Sequence, residues 1–180
     1  FEWLMGINFW GVVYGTKAFL PHLKRSRDGH IINISSVFGI IGVPTQSAYN
    51  AAKFAVRGFT ESLREELDIE QCGVSATSVH PGGVKTNIAR NSRMGDMGDF
   101  GMGDKEDIAA MFEKIAMTTP ESAARTILAG VRKNQRRVLV GADAVMLDTA
   151  QRLMPTGYQR LLEALFRMNQ GKKKTSQGIA

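Results

Sequence analysis

An α/β fold built on a parallel sheet is predicted by three observations. Short apolar segments rich in Ile and Val alternate with longer segments of helical periodicity, the order expected of β-α-β units. The first two of these short segments end in polar or glycine-rich turns, the place where open parallel sheets hold their ligands. The 180 residues, 43% hydrophobic and 22% charged, suit one globular domain with a sizeable core.

Taken in order, residues 1 to about 25 read as a helix, apolar on most sides. Gly6, Gly11 and Gly15 each cost this helix about 1 kcal/mol relative to Ala, which suggests close approach by another backbone or a ligand. Phe1-Glu2-Trp3-Leu4-Met5 starts without a capping Ser, Thr, Asp or Asn, as though in mid-helix, so a missing N-terminal part is expected. Arg27-Asp28-Gly29 turns the chain into a buried strand, His30 to Ser35. A loop with Gly39, Gly42 and Pro44 leads into an amphipathic helix from Thr45 to Ile69. Its apolar face is Ala48, Ala52, Ala55, Phe59, Leu63 and Leu67, and it stops at Gly73. Val74 to Val79 is a second strand, ended by His80-Pro81-Gly82-Gly83.

From Arg90 to Asp107 the pattern dissolves into Gly, Met, Asp and Asn. Such a segment, part of a stretch of 90–117, is expected to be a lid, with Met94, Met97 and Met102 as an adaptable apolar lining; disorder is the equal alternative. Gly98, Gly101 and Gly103 have the spacing of a dinucleotide fingerprint but follow no strand, so that reading is set aside. Thr119-Pro120-Glu121 opens a helix to about Asn134, with an N-cap, Pro at the first helical position and an early acid. Arg137 to Val140 is a third strand, and helical segments follow. The domain is expected to occupy 1–165, with 166–180 a basic, flexible tail.

The net charge of +6 sits mostly at the C-terminus. Residues 151–180 carry six basic groups against Glu163 alone, whereas the other 150 carry 17 basic and 16 acidic groups. That distribution argues against a nucleic-acid-binding face on the domain. Cys72 is the lone cysteine, so no intrachain disulfide can form, which fits a cytoplasmic protein. Asp68 and Glu70 nearby make it a poor thiolate. No apolar run has the length of a membrane span. His22, His30 and His80 lack metal-ligand spacing and read as structural; no metal site is expected.

The chemistry concentrates in Tyr49-Asn50-Ala51-Ala52-Lys53. Positions four apart share a helix face, so the Tyr49 hydroxyl and the Lys53 ammonium can serve one site. A phenol of pKa about 10 becomes useful at neutral pH when a nearby cation favours its phenolate. Alone the pair is weak, since three tyrosines among ten lysines produce such spacing by chance about one time in six. Its surroundings strengthen it. Ser36 lies at the carboxyl end of the first strand, and the second strand ends in Pro81-Gly82-Gly83-Val84-Lys85-Thr86. Asn8 is a polar residue in an apolar helix, where a buried amide needs partners.

On these residues the chain resembles the C-terminal part of a short-chain dehydrogenase/reductase, from residue 1 to about residue 165. Asn8, Ser36, Tyr49 and Lys53 match the family's tetrad; Pro81, Gly82 and Thr86 match the motif after its sixth strand; and Gly29 to Ser36 is similar to its fifth strand. The resemblance implies a Rossmann-like doubly wound sheet, of which only the later strands are present. It implies NAD or NADP as cofactor and hydride transfer to or from an alcohol, ketone or aldehyde. Tyr49 would be the acid, Ser36 would hold the substrate oxygen, and Lys53 would favour the phenolate and bind the nicotinamide ribose. Asn8 would hold a relay water or merely bend its helix. Pro81, Gly82, Gly83, Val84 and Thr86 would hold the nicotinamide, with Thr86 as only an N-cap the alternative. The family's Thr-Gly-x-x-x-Gly-x-Gly and Asn-Asn-Ala-Gly motifs do not occur in this sequence.

A homodimer or homotetramer through residues 1–25 and 45–70 is a further implication. Two other readings are carried: a non-catalytic fragment or pseudoenzyme unable to bind cofactor, and a peripheral membrane module using Tyr158, Leu161, Leu162, Leu165 and Phe166 with the basic tail. Against the latter, a C-terminal helix docked on the domain is the expectation.

Overall fold

The computed structural model describes residues 1–93 and 105–177. Helix α1 (Glu2–Met5) runs through a π-helical turn (Gly6–Trp10) into α2 (Gly11–Ser26). Strand β1 (Gly29–Ile34) and a 3-10 turn (Val37–Gly39) precede α3 (Ser47–Glu70). Then come β2 (Val74–Pro81), α4 (Ile88–Asn91), α5 (Lys105–Ile115), α6 (Pro120–Arg132), β3 (Arg137–Val140), α7 (Ala142–Leu153) and α8 (Gly157–Gln177). The strands form a parallel sheet in the order β1-β2-β3, with Gly29 opposite Val74 and Ser78 opposite Arg137.

Each parallel pair needs a crossover, and helices supply it. Helix α3 crosses from β1 to β2 and packs Leu63 and Leu67 on Ile31, Val74 and Ala76. Helix α6 leads into β3 and closes a second cluster of Val79, Ala123, Val138 and Val140. The turn into β2 depends on Gly73, whose φ of 77° is left-handed and whose added Cβ would lie 2.2 Å from the Arg27 carbonyl oxygen. The cap expected at Thr119 forms: its hydroxyl accepts the Ser122 N–H at 3.2 Å.

Several expectations are corrected. The first helix is interrupted at Gly6–Trp10, where the Gly11 N–H reaches back five residues to the Gly6 carbonyl. Its glycines meet no crowding among the described residues; Gly11 and Gly15 instead line an open groove of about 480 Å³ beside β1. Strand β1 is buried on one face only, because Ile32 and Ile34 point away from α3 into that open side. Helix α3 starts at Ser47, since Thr45 has a left-handed φ of 69°. Its buried stripe is Ala52, Val56, Thr60, Leu63 and Leu67, so Ala48, Ala55 and Phe59 lie at the margin. Strand β2 continues through His80 to Pro81.

Residues from Lys105 are helical, which shortens the expected loop; Met94, Met97, Met102 and the Gly98–Gly103 stretch lie outside the described residues. Helix α8 docks as expected: Tyr158 packs with Ile40 and Ile41, and its hydroxyl accepts the Gly42 N–H at 3.1 Å. Its backbone stays helical past 166, to Gln177. Among the described residues, no helix is long and apolar enough to cross a membrane.

Candidate active site

The carboxyl end of β1 delivers Ser36, with extended backbone, as the N-cap of the 3-10 turn. Its hydroxyl oxygen accepts the Phe38 N–H at 3.1 Å, and its carbonyl accepts the Gly39 N–H at 3.0 Å. Helix α3 runs back past this point and brings the Tyr49 phenol near enough to the Ser36 hydroxyl for that group to lower its pKa. The Phe38 ring meets the Tyr49 ring edge-on, centroids 5.9 Å apart. The Lys53 ammonium lies 5.5 Å from the Tyr49 ring centre and donates to the Ile34 carbonyl at 3.1 Å. Ser36, Tyr49 and Lys53 therefore converge at one end of the sheet.

Lys53 is 9% exposed, so it is no solvent-facing lysine that happens to follow a tyrosine. Burial lowers its pKa, because the ammonium loses hydration. Burial also pushes the Tyr49 phenol above its ordinary range, and the Ser36 hydrogen bond pulls it only partly back. In this state burial is the larger influence on the phenol. At neutral pH Tyr49 holds its proton, the form a general acid requires.

Asn8 occupies the π turn, which packs against α3, and Phe9 meets Phe59 edge-on at 6.4 Å. The Asn8 amide donates to the Leu4 carbonyl of its own helix at 3.4 Å. That contact alone matches the helix-bending alternative; π turns themselves are frequent at functional sites.

The turn after β2 is held from three sides. Gly82 N–H donates to the Val140 carbonyl at 2.9 Å, Gly83 N–H to the Asp143 carboxylate at 2.6 Å, and Lys85 N–H to the Thr118 carbonyl at 2.8 Å. A Cβ on Gly82 would come within 2.1 Å of the Asp143 carboxylate, so a side chain there would push Asp143 away from the Gly83 N–H. Val84 packs against the second core cluster, which leaves its backbone as the part a ligand can meet. Thr86 is exposed and makes a long 3.4 Å contact with the Ile88 N–H, close to the N-cap alternative.

Three residues escaped the sequence reading. Asn50, buried, donates to the Phe38 and Ile41 carbonyls at 2.7 Å each and accepts the Val43 N–H at 3.1 Å. It ties the Tyr49 helix to the loop after Ser36. Ser35 donates to the Lys53 carbonyl at 2.8 Å. Asp143 braces the Gly82-Gly83 turn from the first turn of α7. An Asn inside Tyr-x-x-x-Lys and an acid shortly after a strand were the available signals.

A parallel α/β sheet thus gathers Ser36, Tyr49 and Lys53 at the carboxyl end of β1, with the Pro81-Gly82 turn at the end of β2. The family model described as short chain dehydrogenase matches residues 1–96, and the chain belongs to that family. SadH of Mycobacterium tuberculosis, whose name places it among oxidoreductases without a substrate, is 54% identical over 164 residues, 91% of this chain and 58% of that protein. Dehydrogenase/reductase SDR family member 7B of Xenopus laevis is 35% identical over 96% of this chain and 49% of its own length. A short chain dehydrogenase from Burkholderia cenocepacia, solved in complex with NADP, superposes with a TM-score of 0.68 at 25% identity, covering 88% of this chain and 56% of that one. A Burkholderia phymatum homologue of the fold, solved with NAD, gives a TM-score of 0.70 at 20% identity over 82% of this chain and 56% of its own. The chain thus spans about half to three-fifths of the proteins it matches.

Proposed function

We propose that this chain carries the acid/base centre of an oxidoreductase that moves a hydride between NAD or NADP and an alcohol, ketone or aldehyde. The observation that carries the reading is the convergence of the Ser36 hydroxyl, the half-buried Tyr49 phenol and the Lys53 ammonium at the carboxyl end of β1. The residues present fit the nicotinamide end of such a cofactor: a glycine turn, braced by Asp143, whose backbone is open to close approach, and a buried cation with N–H groups beyond the one given to Ile34.

When bound, the nicotinamide would supply or accept the hydride. In the reductive direction Tyr49 gives its phenolic proton to the substrate oxygen as that oxygen gains charge. Ser36 donates its hydroxyl hydrogen to the same oxygen, since its lone pair already serves the Phe38 N–H. Lys53 binds the ribose hydroxyls and stabilises the phenolate that Tyr49 leaves behind. Asn8 holds a water for the returning proton, and Pro81, Gly82, Gly83, Val84 and Thr86 frame the nicotinamide ring. A homo-oligomer and a cytoplasmic setting belong to the same reading, supported by the exposed aromatic side of α1 and α2 and by the lone Cys72.

Tyr49→Phe is the direct test. In the full-length protein it should lower kcat by at least about 100-fold, the scale of a lost general acid, with an unchanged circular dichroism spectrum. Normal turnover by that variant sinks the mechanism.

A further inference from the structure

The proposed mechanism leaves one buried titratable side chain unused. His80 is fully buried on β2, two positions from Ser78 and therefore on the same face of the strand. Its Nδ1 lies 3.1 Å from the Ser36 carbonyl oxygen, and its Nε2 lies 2.9 Å from the Ser78 hydroxyl. A carbonyl can only accept, so Nδ1 bears the hydrogen. A neutral ring then presents a lone pair at Nε2, and the Ser78 hydroxyl donates to it.

We propose that His80 is a positioning residue for Ser36: a neutral Nδ1–H imidazole clamps the Ser36 peptide and so aims the Ser36 hydroxyl at Tyr49 and the substrate oxygen. The inference rests on the oxidoreductase reading. The Ser36 carbonyl receives two N–H groups, from His80 and from Gly39, and the Ser36 hydroxyl oxygen receives a third from Phe38. The first links the end of β1 to β2; the other two lie within the 3-10 turn. Without His80 the turn keeps its own hydrogen bonds and the Ser35 N–H bond to the Val79 carbonyl, but the Ser36 peptide itself loses its link to β2.

Neutrality matters, because an imidazolium would donate at both nitrogens and break the Ser78 arrangement. Burial holds the imidazole at about 4, aided by Arg137 and Arg57 and opposed by the Ser36 carbonyl bond and Glu61. The clamp is therefore intact throughout the physiological range.

The test uses the full-length protein, with two variants and two readouts. Long-range ¹⁵N–¹H spectra of the imidazole should show the neutral Nδ1–H tautomer from pH 5 to 8; an Nε2–H tautomer, or an imidazolium at pH 7, overturns the proposal. His80→Leu should lower kcat about 10- to 100-fold, the cost of a displaced catalytic group, with cofactor Kd changed less than about twofold. His80→Asn, whose amide can donate to the same carbonyl, should recover most of that loss. Equal kcat in wild type and His80→Leu overturns the proposal, as does failure of Asn to rescue while remaining folded. Should Tyr49→Phe turn over normally, the oxidoreductase reading falls by itself, while the tautomer spectra still decide whether His80 clamps Ser36.

Discussion

Asn50 illustrates how a single residue shapes this site. It lies between Tyr49 and Lys53, yet it faces the loop after Ser36 and satisfies Phe38, Ile41 and Val43 with all three of its described hydrogen bonds. Replacing it with Ala would orphan two buried carbonyls and an amide. Asn50→Ala should lose about 2–4 kcal/mol in urea unfolding, and the loop that frames Tyr49 should loosen with it. A loss below about 0.5 kcal/mol would show that this loop does not depend on the clamp. The Tyr-x-x-x-Lys spacing was legible because i and i+4 share a face of a helix. The role of Asn50 was not, because its partners are backbone groups seven to twelve residues back in the chain.

At the level of elements, α1 and α2 pose the clearest question. Trp3, Ile7, Trp10 and Tyr14 recur at helical spacing, and all four are among the exposed large hydrophobic residues; Trp10 and Tyr14 stack at 5.7 Å. The segment is apolar on most sides, yet among the described residues only Thr16 of α2 is buried. Such a stripe fits a protein–protein contact better than solvent. If a second copy covers it, Tyr14→Glu in the full-length protein should shift sedimentation equilibrium toward monomer, with an increase in the dissociation constant of about 10-fold or more. An unchanged assembly state would place the oligomer contact elsewhere. The π turn also belongs here: one extra residue per turn is invisible to a periodicity count, because apolar residues continue on either side of it.

For the whole molecule, fully buried His80 and half-buried His30 shape the acid limb of stability. His80 titrates at about 4 in the folded chain against 6.5 for the free side chain, and burial lowers His30 as well. Between those two values the unfolded chain binds the extra proton, so stability is complete above pH 6.5 and falls as pH drops toward 4. His80 alone accounts for about 3 kcal/mol over that window. Denaturant midpoints should decline from pH 7 to pH 4, and His80→Asn should flatten the slope. An identical slope in the variant would assign the acid sensitivity to other groups.

The sequence by itself determined the strand and helix alternation, the parallel sheet, the family and the residues Ser36, Tyr49 and Lys53. The alternation and the site residues follow from local periodicity and from spacing along one helix or one strand end, which short-range sterics enforce, and the family from the resemblance that their motifs carry. Only the tertiary structure decided that burial raises the pKa of the Tyr49 phenol, that Asn50 and Asp143 brace the two site turns, and that His80 reaches Ser36. Each of these depends on groups brought together by the β1–α3–β2 crossover or by the return of α7 to the sheet. Their sequence separations run to 44 residues for His80 and Ser36, and to 60 for Gly83 and Asp143. Desolvation, likewise, is set by what packs over a group, and no pattern along the chain encodes it.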